Sequence, residues 1–154
     1  MKRFKIVVLF LALFVLVGCN LNTNKKAITS DEFKEKMEKK GYTILDASSQ
    51  FPQENIKKVS LAVEKGSTYQ IEFYELDSSK SAEDFYDTNK TNFEKSKKSG
   101  YVDSYVELGN NEKYTLKTNG TYKVLSRIDN TIIYLNVNEK YKKDVDGILK
   151  ELDY

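Results

Sequence analysis

Few residues in this chain have side chains that commonly carry the chemistry of an active site. There is no histidine, and Cys19 is the only cysteine among the 154 residues. Intramolecular disulfides, thiolate zinc sites and Cys–His or Ser–His–Asp catalysis all need residues that this sequence lacks. An enzyme built from it would depend on carboxylates, lysine, serine or tyrosine. We therefore predict a protein that is not an enzyme and that uses no metal and no cofactor.

The carboxylates show no pairing typical of acid–base catalysis. The densest group is Glu72 and Glu75, close to Asp77. Side chains alternate between the two faces of a strand, so residues 72 and 75, an odd number of positions apart, point in opposite directions. This spacing argues against a glycosidase-type pair, and it indicates ordinary surface charges.

Three residues are candidates for ligand binding: Glu72, Tyr74 and Arg127. Arg127 is one of only two arginines in the chain, and its guanidinium can clamp a carboxylate or a phosphate. The commoner role of such a residue is an ion pair with an acidic neighbour, and we favour that interpretation. Tyr74 belongs to a set of eleven tyrosines, many of them in predicted strands, where they could form a recognition surface for peptide or glycan. The β-propensity of tyrosine explains the same placement without any ligand.

The charge balance gives no reason to expect nucleic acid as a partner. The chain has 25 basic and 23 acidic residues, and three of the basic residues precede Cys19, which leaves 22 basic residues for the remainder. Nucleic-acid binding depends on many positive charges that neutralise phosphates. A nearly neutral domain is not typical of that function.

The N-terminus has the layout of a secretory signal. Residues 1–5 include three basic side chains, and residues 6–17 form an uninterrupted apolar run. Twelve helical residues span roughly 18 Å, whereas the hydrocarbon core of a bilayer is roughly 30 Å thick. The segment is therefore too short for a permanent transmembrane helix.

The tetrapeptide at the end of this apolar run, Leu16-Val17-Gly18-Cys19, resembles the lipobox of bacterial prolipoproteins. The resemblance implies that Cys19 receives a diacylglyceryl group, that Leu16, Val17 and Gly18 are recognised by the signal peptidase, and that residues 1–18 are removed. Further acylation, for example with palmitate, makes the attachment stable, since one acyl chain alone binds a membrane only marginally. The expected location is the extracytoplasmic face of the cell membrane, with membrane lipid as a partner through Cys19. The rest of the chain resembles, in composition only, the short lipoproteins of low-GC Gram-positive bacteria.

The remaining residues divide into a tether and one domain. Residues 20–28 are polar and lack periodicity, which predicts that residues 19–28 form a lipidated tether. Residues 29–154 then form a single α+β domain. Its first helix has a complete start signal, in which Thr29 caps the helix and Glu32 completes a capping box.

Alternation of apolar and polar residues predicts seven strands, and helical spacing predicts three amphipathic helices. Asn119-Gly120 is a strong hairpin signal, because both residues tolerate positive φ. The order is helix, three strands, helix, four strands, helix. We predict one twisted, mainly antiparallel sheet of six to seven strands with two to three of these helices packed on one face. The predicted strands are residues 42–47, 59–64, 68–76, 101–108, 113–118, 121–128 and 131–137.

Two hypotheses for function remain open. The first is a non-enzymatic lipoprotein that binds a protein, a cell-wall component or a small ligand at the membrane surface. The second is a hydrolase or transferase that uses carboxylates or tyrosine on cell-envelope material. Two carboxyl groups converging in a deep pocket would favour the second hypothesis, and a shallow tyrosine-lined sheet face would favour the first.

Overall fold

The computed structural model describes residues 23–51 and 55–154. The predicted signal segment and lipobox, including Leu16, Val17, Gly18 and Cys19, lie outside the described residues. Ten helices and strands of regular length follow one another, together with two single turns of 3₁₀ helix at residues 48–50 and 139–141. The elements are α1 (Ser30–Lys39), β1 (Thr43–Asp46), β2 (Ile56–Val63), β3 (Gln70–Leu76), α2 (Ser79–Lys95), β4 (Val102–Leu108), β5 (Asn111–Thr118), β6 (Thr121–Ile128), β7 (Thr131–Asn138) and α3 (Lys142–Leu152).

The seven strands form one sheet in the order β1-β2-β3-β7-β6-β5-β4. Every neighbouring pair is antiparallel. The prediction of an α+β fold with one antiparallel sheet of up to seven strands is therefore confirmed. The Asn119-Gly120 hairpin joins β5 to β6, with both residues at positive φ as the turn requires.

Helices cover both faces of this sheet. On the first face, α1 and α3 pack through Phe33, Met37 and Leu149 against strand residues such as Phe73 and Leu135. On the second face, α2 packs against the other side of the same strands. The prediction that two to three helices share one face is right for α1 and α3 and wrong for α2. The physical reason is that β3 and β7 are apolar on both faces, so each face needs a cover.

The contacts of α2 show how the second face is built. Ala82, Tyr86 and Phe93 on the buried side of this helix contact Tyr74 and Leu125 of the sheet. The helix begins at Ser79, where the side chain of Ser78 accepts a hydrogen bond from the backbone N–H of Ser81. It crosses β6, β7 and β3, and its Lys90 side chain lies over the Tyr105 ring of β4 at 3.9 Å.

The first helix starts as the sequence predicts. The Thr29 side chain accepts a hydrogen bond from the Glu32 backbone N–H at 3.1 Å, and Glu32 accepts one from the Thr29 backbone N–H at 2.8 Å. This capping box satisfies two of the N–H groups that a helix N-terminus leaves unpaired. It fixes the point at which the chain turns from residues 23–28 into the domain.

Residues 23–28 lie against the domain without forming a helix or a strand, and we call them the docked segment. The Lys25 backbone N–H donates to Asn110 Oδ1 at 2.8 Å, and Asn110 Nδ2 donates to the Lys25 carbonyl at 2.8 Å. Lys25 Nζ also reaches the Asp153 carboxylate at 3.0 Å, while Ala27 and Ile28 pack against the first-face core. This part of the predicted tether is therefore attached to the turn between β4 and β5.

Candidate functional site: a groove on the second face

A large hollow on the described surface lies on the second face, beside α2. It has a volume of about 600 Å³ and is bounded by β3, β7, the first half of α2 and the loop between β1 and β2. We call it the aromatic groove. Its lining residues are Phe51, Asn55, Glu72, Tyr74, Asp84, Phe85, Thr88, Asn89 and Tyr134.

Aromatic rings form the floor and one wall of this groove. The Tyr74 ring is buried and lies between Phe51, at a centroid distance of 5.6 Å and nearly perpendicular, and Phe85, at 4.8 Å. The Tyr134 ring continues the floor and contacts Phe93 at 5.1 Å. Edge and tilted contacts of this kind hold the rings in place beyond the effect of burial alone.

Glu72 is the central polar residue of the groove. Its carboxylate accepts a hydrogen bond from the Tyr74 hydroxyl at 2.5 Å and one from Gln70 Nε2 at 3.1 Å. Tyr134 lies directly across the strand pair from Glu72. Burial raises the pKa of Tyr74 well above its usual value, and the hydrogen bond and charge of Glu72 raise it further. Tyr74 is therefore a neutral hydrogen-bond donor at neutral pH, and it orients the Glu72 carboxylate.

The second carboxylate of the groove belongs to Asp84 on α2. It forms an ion pair with Lys80, one helical turn earlier, at 2.8 Å. Both side chains are largely exposed, so this pair contributes little to stability. Asp84 thus has a cation, Lys80, as its partner. Glu72 instead has aromatic neighbours and accepts hydrogen bonds from uncharged donors.

A second hollow of about 420 Å³ extends the groove toward the turn between β2 and β3. Glu72 and Tyr134 line both hollows, so the two are adjacent. Within the part of the chain that the structure describes, neither lining includes a lysine or an arginine. The combined surface is therefore aromatic and polar, with acidic groups as its only formal charges. The remaining lining residues are Val63, Ser67, Thr68, Tyr69, Gln70, Asn136, Val137 and Asn138.

Arg127 lies on β6 and does not line the groove. Its Nε donates to Glu112 Oε1 at 2.8 Å, a second nitrogen of the guanidinium contacts the same carboxylate, and Nη1 donates to the Asp129 carbonyl at 3.3 Å. Both partners of this ion pair are nearly buried. Of the three predicted ligand-binding residues, the structure brings Glu72 and Tyr74 together and places Arg127 in a separate pair with Glu112.

The opposite orientation of Glu72 and Glu75 is confirmed. Glu75 accepts a hydrogen bond from Ser30 Oγ at 3.0 Å on the first face, whereas Glu72 lies in the groove on the second. Asp84, Phe51 and Phe85 were not predicted as site residues, because their position beside Glu72 depends on α2 covering the second face. A signal was present in β3, where Tyr74 and Leu76 make the supposedly solvated side of the strand apolar.

Two further observations concern the described residues as a whole. Between residues 23 and 154, with the gap at 52–54, none of the helices has both the length and the apolar character of a membrane-spanning segment. In the same residues, no three acidic or sulfur-bearing side chains come close enough together to hold a metal ion. Comparison with known protein families, with curated proteins and with solved structures finds no significant match.

Proposed function

We propose that this chain is a lipid-anchored extracytoplasmic lipoprotein whose domain binds a ligand in the aromatic groove and performs no catalysis. The anchor rests on the resemblance of Leu16-Val17-Gly18-Cys19 to a lipobox, at the end of an apolar run too short to cross a bilayer. Cys19 would carry the lipid, and membrane lipid would be its first partner. The second partner would be a protein or a cell-wall component that reaches the groove.

The groove favours a ligand that carries an amine or a guanidinium group. One observation carries this proposal: Glu72 lies on an aromatic floor with no basic residue in the lining of the described groove. A cation placed there would meet the Glu72 carboxylate and the partly exposed ring of Tyr134. An anionic ligand would meet Glu72 and Asp84 instead, and both would repel it.

The alternative is a hydrolase or transferase, and one observation favours it: Glu72 and Asp84 line the same groove. General acid–base catalysis needs two groups whose protonation states differ and whose positions fit a reacting bond. Asp84 is paired with Lys80 and exposed, and Tyr74 is held neutral, so the chemistry assigned to the groove here is recognition.

The anchor is tested by Cys19→Ser and by metabolic labelling of cells with palmitate. We expect the wild-type chain to take up label and to fractionate with membranes, and the Cys19→Ser chain to do neither. A wild-type protein without label, or a serine variant that stays equally membrane-bound, would show that the anchor assignment is wrong.

The groove is tested by photo-crosslinking in intact cells. A photoreactive aromatic amino acid replaces Phe85 in the groove, and the matched control carries it at Tyr101, an exposed aromatic residue next to β4. We expect crosslinks to the same protein or wall fragment in replicate experiments from position 85 only. The substitution Glu72→Gln, made in the protein that carries the photoreactive residue at position 85, should remove most of these crosslinks. It removes the charge of the side chain and leaves its shape unchanged.

The enzyme alternative makes a different prediction for the same variants. If Glu72 is a catalytic acid or base, purified wild-type protein should release fragments from cell-envelope material, and Glu72→Gln and Asp84→Asn should both stop the release. Binding without turnover, lost in Glu72→Gln and retained in Asp84→Asn, would support the recognition function.

A further inference from the structure

The first face of β4 exposes a row of aliphatic side chains that none of the helices in the described part of the chain covers. Val102, Val106 and Leu108 are 62%, 54% and 52% exposed, and only Ser104 interrupts the row. Helices α1 and α3 cover the centre of this face and do not reach β4. We call these three residues the apolar row. Adjacent exposed aliphatic side chains on an edge strand are unusual, since edge strands normally carry charges or proline there.

Basic residues border the apolar row, and acidic residues lie on the other side of the same strand. Across the β4–β5 pair, Lys113 lies opposite Val106 and Lys117 opposite Val102. Lys25 and Lys113 also border a hollow of about 300 Å³ beside Val106 and Leu108. Asp103 and Glu107 point to the second face, so the strand has an apolar, basic-flanked side and an acidic side.

All three bordering lysines have ion-pair or hydrogen-bond partners, and Lys25 pairs with Asp153 at 3.0 Å. Lys117 pairs with Glu139, and Lys113 Nζ donates to the Tyr154 carbonyl at 3.2 Å. The docked segment adds Lys26, whose side chain is 87% exposed. Its Nζ lies 3.8 Å from Glu32 Oε1. Together these residues match a lipid surface, which offers an apolar interior and phosphate groups above it.

The chain also enters the domain at the end of the apolar row. Thr23 and Asn24 pass so close to Gly109 that a Cβ at that position would lie 2.9 Å from Thr23 Oγ1 and 2.5 Å from Asn24 Oδ1. Cys19 is only four residues before Thr23. A fully extended chain spans at most about 3.6 Å per residue, so Cys19 lies within about 14 Å of Thr23.

We infer that the apolar row is a membrane-docking surface, on which the domain rests beside its own lipid anchor. The inference rests on the proposed lipidation of Cys19, which holds the turn between β4 and β5 close to the bilayer. Val106 and Leu108, next to this turn, insert at the boundary between headgroups and acyl chains, and the nearby lysines contact phosphate groups. The same end of the sheet carries the turn between β6 and β7, because the strands are antiparallel.

This orientation leaves the second hollow of the aromatic groove accessible. The second hollow of the groove is lined by Ser67 and Thr68 of the β2–β3 turn and by Asn138 at the end of β7. These residues lie at the end of the sheet opposite to Leu108, and eight-residue strands separate the two ends by roughly 25 Å. This part of the groove therefore lies away from the lipid surface.

A second copy of the chain fits the apolar row less well than a lipid surface does. Two β4 strands that pair antiparallel about Tyr105 would overlap along their full length, and this register places Asp103 of each copy directly opposite Glu107 of the other. Like charges in directly opposed positions destabilise a strand pair. Lipid phosphate groups, in contrast, would be attracted by the bordering lysines.

The test places a fluorophore on the row in the lipidated full-length protein. Val106→Cys carries a polarity-sensitive fluorophore, and the matched control carries it at Leu45→Cys, an exposed aliphatic position on the opposite edge strand. Lipidation blocks the thiol of Cys19, so the introduced cysteine is the only site of labelling. The proteins are reconstituted in phosphatidylcholine vesicles with and without phosphatidylglycerol.

We expect the fluorophore at position 106 to shift to the blue and to be quenched by quencher-bearing lipids, more strongly with phosphatidylglycerol, while the fluorophore at position 45 stays solvent-like. Equal, solvent-like signals at both positions in membrane-bound protein would overturn the docking inference and leave the anchor intact. A shift at position 106 that depends on protein concentration and not on lipid would assign the row to self-association and also overturn it.

A second pair of variants measures the contribution of the row to binding. The double substitution Val106→Ser and Leu108→Ser in the lipidated protein should speed transfer between vesicles at least fivefold over Leu45→Ser. All three positions are exposed, so folding should be unaffected. Unchanged transfer would contradict docking. A chain whose mass shows no lipid on Cys19 would refute the proposed anchor itself, and the docking inference with it.

Discussion

At the scale of single residues, the buried ion pair of Arg127 and Glu112 is the most consequential contact on β5 and β6. Both side chains are nearly buried, and the guanidinium contacts the carboxylate through two nitrogens. Breaking one partner of such a pair leaves an uncompensated buried charge. We expect Arg127→Met to lower the free energy of unfolding by about 3 kcal/mol or more.

The double variant Arg127→Met with Glu112→Met is the control for this prediction, measured by urea denaturation. Because it removes both charges, it should recover most of the loss. A single variant with wild-type stability would show that Arg127 is not needed to compensate the charge of Glu112, and would reopen its role as a ligand anchor.

Two buried tyrosines form a matched pair for testing the value of a hydroxyl group. Within the described residues, the Tyr86 hydroxyl has no hydrogen-bond partner, whereas the Tyr122 hydroxyl donates to Asp146 at 2.7 Å. We expect Tyr86→Phe to leave stability unchanged or to raise it by about 1 kcal/mol, because an unsatisfied buried group is removed. Tyr122→Phe should lower it by about 1 kcal/mol. Thermal unfolding of the two variants measures the contrast, and equal losses would contradict it.

The residue scale also shows what sequence reasoning can and cannot supply for the site. Glu72 and Tyr74 could be proposed from the sequence because they are two positions apart on one strand and so share a face. Asp84 and Phe85 could not be proposed, because both residues belong to α2. The prediction places α2 on the same face as α1 and α3, and therefore on the side of the sheet opposite to Glu72. The partner of Arg127 could not be predicted from the sequence either, since Glu112 becomes its neighbour only through the register of β5 and β6.

At the scale of elements, the turn between β4 and β5 holds the docked segment in place. Gly109 has φ of +60°, and a Cβ there would collide with Asn24 and Thr23. Gly120, in the turn between β5 and β6, has φ of +70° and open space around it. Substitutions at the two positions can therefore be compared: Gly120→Ala introduces only the strain of a left-handed backbone, and Gly109→Ala also displaces the docked segment.

We expect Gly120→Ala to destabilise the protein by about 1 kcal/mol, which is the cost of the left-handed conformation for a residue with a Cβ. Gly109→Ala should cost more than this, and hydrogen exchange of the Lys25 amide should become faster in that variant only. Equal costs, with the Lys25 amide unchanged in both variants, would show that residues 23–28 do not depend on this turn.

The alternation of strand residues predicts the sheet well and its covering poorly. In β5 the pattern is regular, with Tyr114 and Leu116 buried and their neighbours partly exposed. In β7 nearly every residue from Thr131 to Leu135 is buried, so the first half of this strand is covered on both faces. A strand buried on both faces lies between two layers, and this property of β7 indicates the position of α2.

At the scale of the whole molecule, the buried tyrosines couple stability to alkaline pH. Burial raises the pKa of Tyr154 to about 12, and burial followed by the charge and hydrogen bond of Asp146 raises the pKa of Tyr122. A tyrosine in an unfolded chain titrates near pH 10. Since the folded pKa values are higher, their contribution to stability is complete below about pH 10 and is lost as the pH rises further.

We therefore expect the unfolding temperature to fall steeply above about pH 10, with tyrosinate absorbance appearing together with the loss of circular dichroism. Lys113 has the opposite effect on the pH dependence of stability, because burial lowers its pKa. The buried tyrosines are more numerous, so their effect dominates. Ionisation of most tyrosines in a protein that remains folded would contradict this prediction.

The contact between Lys25 and Asp153 brings the beginning and the end of the described domain to one corner. A short flexible linker could join Tyr154 to Thr23, and the chain could be reopened at the exposed Asn119-Gly120 turn, where new termini are best tolerated. Such a circular permutant would keep every strand pairing and would begin at the far end of the sheet. With a lipidated cysteine added before Gly120, the domain would have the opposite orientation to the one inferred above: the second hollow of the groove would lie toward the bilayer, and Leu108 would lie away from it.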